Sequence, residues 1–300
     1  MKKKLMAGLL VMVFVFSVFT FSGCGNENQI IIGTKDFNES IVLGEIFAQV
    51  IEAKTDISVK RKLNLGGTFI CFEAIKKGDI DLYPEYTGTG ITAHLKLPVI
   101  SDTEEGYNVC KDEFDKQFNI AWLDPLGFNN TYAIAVTKEI AAEYNLSKCS
   151  DLKVNNASEN ISFGGEHEFF NRPGDGFDGF CDLYDVSFKG DTIKMNVALK
   201  YKAIGDNEMD ATDAYTTDSE ILEYELVVLE DDLGFFPPYI AAPIIKNETL
   251  LKFPELKDVL NLLSGKITNT VMTQLNYNVM IDKQSVKVVA ENFLTEAGII

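Results

Sequence analysis

The order of the apolar runs restricts this fold more than any other feature of the chain. Strand-like and helix-like stretches alternate through two rounds, and the chain then ends in helices alone. The first round opens with "IIIGTKDF", a short apolar run ending at a glycine, the pattern of a buried parallel strand leading into a loop. Asp36 with Glu39 three residues on has capping-box spacing, and Ile41, Val42, Ile46, Val50 and Ile51 share one helical face. A polar strand "DISVKRKLNL", the turn "GGT", a helix over about 69–77 and the strand "DIDLY" complete the round. The second round runs "TYAIAV", "KEIAAEYNL", a helix start at "SDL", "ISFGGE", "VALKYKAIG" as helix or strand into helix, "MDATDAY" and "LVVLED". After "FFPPYIAAPII" three segments carry only helical spacing, and these predict packing without chemistry.

Alternation of this kind predicts an α/β protein of two lobes, with no Gly/Ser linker between them. The chain is expected to leave lobe one, build lobe two and return. The expected division is 1–23 a lipoprotein signal peptide, 24–29 a tether, 30–131 the first part of lobe one, 132–236 lobe two, and 237–300 the return with the terminal helices. The crossings then fall near Phe128–Ala133 and Phe235–Ala241. A cleft between such lobes is a natural ligand site closed by hinge motion.

The N-terminus stands apart. "MKKK" precedes an uncharged, largely apolar run, Leu5 to Phe21, and "FSGC" follows. This is a secretory signal, short for a spanning helix and not flanked like one. Its ending resembles a bacterial lipobox, which implies lipidation of Cys24 and a membrane anchor on the extracytoplasmic face. Without residues 1–23 the chain has 24 Lys+Arg against 45 Asp+Glu, a net charge of −21. Nucleic acid is excluded as a partner on that balance. Cys71, Cys110, Cys149 and Cys181 are widely spaced with no CxxC pair, so no disulfide pairing follows.

Catalytic signatures are absent. No GxSxG, HExxH or Walker loop occurs, so the sequence assigns no catalytic residue, cofactor or metal. His167, between Glu166 and Glu168, is expected as a hydrogen-bonded loop residue, and a secreted hydrolase built on it is the alternative class. His94 is expected as a surface or packing residue.

Aromatic residues carry more information. The stretch "LYPEYTGTG" puts two tyrosines, a proline and two glycines in one turn. Tyr83 is expected to pack locally, whereas Tyr86, Tyr132, Tyr215 and Tyr239 each sit where a strand or crossing segment meets a loop, the usual place for ligands in open α/β sheets. Stiff rings lose little entropy on binding. A cage of them suits a quaternary ammonium, held at roughly 0.5 to 2 kcal/mol per ring.

In order along the chain, "IIIGTKDFNES", "LGGTFICFEAIKKGDIDLYPEYTGTG", "PLGFNNTYAIAV", "GGEHEFFNRPGDGF", "DATDAYTTD" and "LEDDLGFFPPYIAAP" resemble the substrate-binding proteins of osmoprotectant (glycine betaine, carnitine, choline) ABC importers. The resemblance implies a type II periplasmic-binding-protein fold, capture of a small quaternary ammonium solute, and delivery to an ABC permease with its ATPase. It places the cage on Tyr86, Tyr132, Tyr215 and Tyr239, and the carboxylate-binding positions on Lys35, Thr89 and Arg172. Arg can grip a carboxylate through two hydrogen bonds while Lys offers a point charge. Ser40 stands where relatives often carry Gln, and Thr68 where choline-restricted relatives carry an acid, so both are expected to bear on specificity. A receptor or sensor for another small organic cation is the alternative within the binding class.

Overall fold

A computed structural model describes residues 28–172 and 176–300. The signal segment and the lipobox at Cys24 lie outside these residues. None of the described helices is long and apolar enough to cross a membrane.

The first lobe is built on five strands: β1 (Gln29–Lys35), β2 (Ser58–Gly66), β3 (Leu82–Tyr86), β4 (Ile120–Trp122) and, much later in the chain, β10 (Ala241–Lys246). Their order is β2-β1-β3-β10-β4. β1 pairs in parallel with β2 and β3, while β10 runs antiparallel between β3 and β4. The returning chain therefore completes the sheet it had left. Side chains alternate across it: Ile30 and Ile32 join one core cluster with the helix Asn38–Lys54 and the terminal helices, whereas Ile31 faces the other with Phe72 and Phe114.

The second lobe has β5 (Tyr132–Val136), β6 (Gly164–Glu166), β7 (Ile193–Met195), β8 (Ala211–Tyr215) and β9 (Val227–Val228). β5 lies between β8 and β9, β6 pairs with β7, and a bridge from Phe163 to Ala211 joins the two sheets. The strand expected through "LVVLED" is only two residues long, and "VALKYKAIG" is the helix Val197–Gly205.

The two crossing segments run side by side. Asn130 N donates to Tyr239 O (3.1 Å), Tyr239 N to Asn129 Oδ1 (2.6 Å), and Thr131 Oγ1 to Pro237 O (2.7 Å).

One local expectation fails. The first helix has Phe37, with no side-chain cap, where the Asp36/Glu39 capping box was expected. Glu39 turns inward instead and is buried, because hydrogen-bond donors from distant parts of the chain meet it there. The terminal helices pack into the first core cluster as expected, and Asn276, on the helix Asn269–Met280, also reaches both Glu39 Oε2 (3.3 Å) and Thr217 O in the second lobe (2.9 Å).

Candidate functional site

A cleft of about 290 Å³ lies between the lobes. It is lined from the first lobe by Lys35, Asp36, Phe37, Gly67, Thr68, Tyr86 and Thr89, from the crossing segments by Asn130, Thr131 and Tyr239, and from the second lobe by Tyr132, Arg172 and Tyr215. All four tyrosines singled out in the sequence face one space, together with Lys35, Thr68, Thr89 and Arg172.

Strand register explains two of these placements. Tyr132 and Tyr215 are directly opposite partners of the antiparallel pair β5–β8, which sets neighbouring side chains about 5 Å apart. Their ring centroids are 4.5 Å apart, inclined at 34°. Tyr86 ends β3, opposite Ala241, and the first return residues before β10 bring Tyr239 over the backbone of Gly88. A Cβ at Gly88 would stand 2.6 Å from Tyr239 Cε1, so only glycine lets that ring lie where it does.

Behind the rings stand buried carboxylates. In the first lobe Tyr86 Oη donates to Glu39 Oε1 (2.6 Å), which also accepts from Asn130 Nδ2 (3.0 Å). In the second, Tyr215 Oη donates to Tyr132 Oη (2.8 Å) and Tyr132 Oη to Glu166 Oε1 (2.9 Å). Burial raises the pKa of all three phenols above the ordinary tyrosine value, so they remain donors. Burial also raises that of Glu39, against the lowering effect of the Tyr86, Thr217, Asn130 and Asn276 hydrogen bonds.

Each lobe also buries a lysine against an acid. Lys35 Nζ lies 2.5 Å from Glu85 Oε1 and 5.3 Å from the centre of the Tyr86 ring. Glu85 further accepts from Tyr83 Oη (3.0 Å) and Tyr86 N (2.8 Å), and lies 3.2 Å from His94 Nε2. Burial would raise the Glu85 pKa, but Lys35 and His94 outweigh it and hold the carboxyl at about 2. In the second lobe Lys200 Nζ is 2.6 Å from Asp213 Oδ2 and 5.8 Å from the Tyr215 ring centre. Arg172 lies over Tyr132, 5.2 Å from the ring centre.

Several expectations change at this level. Ser40 does not line the cleft: fully buried, its Oγ accepts from Lys35 N (3.0 Å) and supports the loop after β1. Lys35 faces the cleft with its charge already matched by Glu85, so it is no isolated point charge. His94 is buried against Phe72, with ring centroids 3.8 Å apart, and is part of the Glu85 network. His167 opens the short helix His167–Asn171, exposed and away from the cleft, and Glu166 beside it is taken by Tyr132. Tyr83 packs as expected, fully buried. Cys71, Cys110, Cys149 and Cys181 are free thiols.

Sequence reasoning gave Glu39 and Glu166 other roles and passed over Glu85, Asn130, Lys200, Asp213 and Asn276. The one signal available was acids and asparagines inside otherwise apolar stretches, as in "LYPEY" and "GFNNTYAIAV".

Residues 28–296 match the family described as the substrate binding domain of ABC-type glycine betaine transport system. The chain belongs to this family. Among the curated relatives of this substrate-binding domain, the carnitine transport binding protein OpuCC of Listeria monocytogenes is 36% identical over 301 residues, covering 98% of this chain and 97% of its own. The ergothioneine transport permease/ergothioneine binding protein EgtU of Helicobacter pylori is 39% identical over 274 residues, 91% of this chain. The chain spans only 48% of that relative's length. A solved structure of a glycine betaine/carnitine/choline ABC transporter superposes with a TM-score of 0.84 at 36% identity, covering 90% of this chain and 99% of that one. The periplasmic-binding-protein fold is thereby established, and family members of this kind are extracytoplasmic substrate-binding components of ABC importers.

Proposed function

We propose that the chain captures a small trimethylammonium solute in the cleft, its cationic head among Tyr86, Tyr132, Tyr215 and Tyr239 and its anionic end toward Arg172, Thr89 and Thr68. The observation that carries this reading is the convergence of four tyrosines from both lobes and the crossing segments on one cleft that also holds Arg172. Ring faces attract a cation that has no proton to donate. The helices starting at Asn38 and Thr68 have Phe37 and Gly67 at their caps without side-chain acceptors, and both caps line the cleft, so free amides favour an anionic group there. Lys35, neutralised by Glu85, contributes little net charge, which suits a ligand that is itself cationic at one end.

Ligand contacts from both lobes exist together only when the cleft is closed, so binding energy drives closure about the crossing segments. The closed form then delivers its cargo to a permease and ATPase, from an anchor at Cys24. The binding role is without catalysis. Glycine betaine, carnitine and choline are the ligand candidates, and ergothioneine, itself a trimethylammonium betaine, joins them because of the Helicobacter relative.

Calorimetric titration of the chain from residue 25 onward with these four solutes tests the reading. Binding of at least one is expected, weakened by Tyr132→Ala and by Arg172→Ala. Failure of all four to bind would refute it.

A further inference from the structure

Resting on that reading of the cleft, we propose that Glu39 and Glu166 are the positioning residues of the aromatic cage: one buried carboxylate per lobe that anchors the phenol oxygens and makes the rings selective for a cation. Three of the four tyrosines end on these two acids. Tyr86 donates to Glu39, and Tyr215 donates to Tyr132, which donates to Glu166. Both acids are buried, neither lines the cleft, and neither would touch a ligand there.

Two effects follow from the same geometry. A phenol tied by its oxygen cannot swing, so the ring keeps its face toward the cleft. An ionised acceptor also pulls the phenolic proton and pushes electron density into the ring, which strengthens the attraction between ring face and cation. The arrangement is repeated with unrelated local structure. Glu39 sits in the first turn of a long helix, whereas Glu166 ends a three-residue strand. Glu166 is held in its turn by Asp213 Oδ1, which accepts from Glu166 N (2.8 Å), and by Lys200 Nζ at 3.7 Å from Oε2. Lys200 approaches Oε2, whereas Tyr132 donates to the other carboxylate oxygen, Oε1, so the oxygen that receives the phenol is not the one nearest that ammonium.

The test is a pair of binding cycles with glycine betaine and its uncharged-head carbon isostere 3,3-dimethylbutanoate, which has the same shape and carboxylate but no positive nitrogen. Glu39→Gln keeps the shape and an acceptor oxygen while removing the charge. It is expected to weaken glycine betaine about 5- to 20-fold and to leave 3,3-dimethylbutanoate within about 2-fold. With Tyr86→Phe already present, Glu39→Gln is expected to cost nothing further. Glu166→Gln, with and without Tyr132→Phe, gives the same cycle in the other lobe and serves if the first substitution prevents folding.

Equal losses for both ligands, or a full loss in the Tyr86→Phe background, would overturn the assignment by showing a merely structural role. Should the wild-type chain bind no trimethylammonium solute at all, the functional reading fails before any substitution is made. An unchanged cation preference in a wild type that binds fails this inference alone.

Discussion

Replacing Gly88 by alanine would push the Tyr239 ring out of its place without touching the ring itself. A Cβ built at Gly88 lies 2.6, 2.7 and 2.7 Å from Tyr239 Cε1, Cδ1 and Cζ. Carbon atoms rest at about 3.5 to 4.0 Å, so the ring must retreat by about 1 Å. The backbone at Gly88 lies in the helical turn Thr87–Thr89 and is not among the positive-φ glycines, so alanine meets no conformational strain there. Alanine would even favour that turn by roughly 0.5 to 1 kcal/mol in an unhindered site. The expected loss is therefore in the ligand rather than in the fold. If Tyr239 contributes one ring of the cage, losing its contact with the cation costs about 0.5 to 2 kcal/mol, a 2- to 30-fold rise in Kd. Isothermal titration with the solute that binds the wild type measures it, and thermal melting confirms the fold. The same substitution in a Tyr239→Ala background should cost no further affinity. An unchanged Kd for Gly88→Ala would refute the argument, as would an equal loss in both backgrounds.

Two further outcomes concern acidity. Glu85 has its pKa held at about 2 in the folded protein, against an ordinary 4.5. A depressed acid stabilises the fold fully above its unfolded pKa and loses that contribution as pH falls from about 4.5 toward about 2. Urea unfolding between pH 7 and pH 2.5 should show this loss, with a shallower acid slope in Glu85→Gln. An identical slope would remove Glu85 from the account. Asp218 is the opposite case: burial pushes it up to about 6, although Tyr201 Oη and Tyr215 N both donate to it. The folded state then binds the proton more tightly than the unfolded chain, so the ionised form costs stability above about pH 6 and the cost fades toward pH 3.8. The melting temperature of Asp218→Asn relative to wild type should accordingly be higher at pH 8 than at pH 5. A difference independent of pH would contradict the burial argument.

The route of the chain was legible before the structure. "IIIGTKDF" reads as a buried strand because its apolar run is short and closed by turn residues, and β1 spans Gln29–Lys35. Tyr86, Tyr132, Tyr215 and Tyr239 could be singled out because each stands at a strand end or beside prolines, and a strand end is where an α/β sheet opens to a ligand. Glu39 shows where such reading stops. Three residues after Asp36 it satisfies a capping pattern, and nothing nearby in sequence indicates that Tyr86, Asn130 and Asn276 are waiting for it. The partners of Ser40 and Lys35 were hidden for a related reason: the Ser40 hydroxyl accepts from the Lys35 backbone, and Lys35, which does line the cleft, is matched by Glu85.

Legible in the sequence alone were the alternation of elements, the return of the chain to its first sheet, and the kind of side chain that lines the cleft. Those properties follow from periodicity and turn chemistry, which act over a few residues. Packing of distant segments sets which buried acid holds which phenol and which lysine. The partners lie 47 residues apart for Tyr86 and Glu39, 50 for Lys35 and Glu85, and 237 for Asn276 and Glu39. A charge leaves water only where its partners are already assembled, so the pairing is set by the packed fold and not by the local sequence.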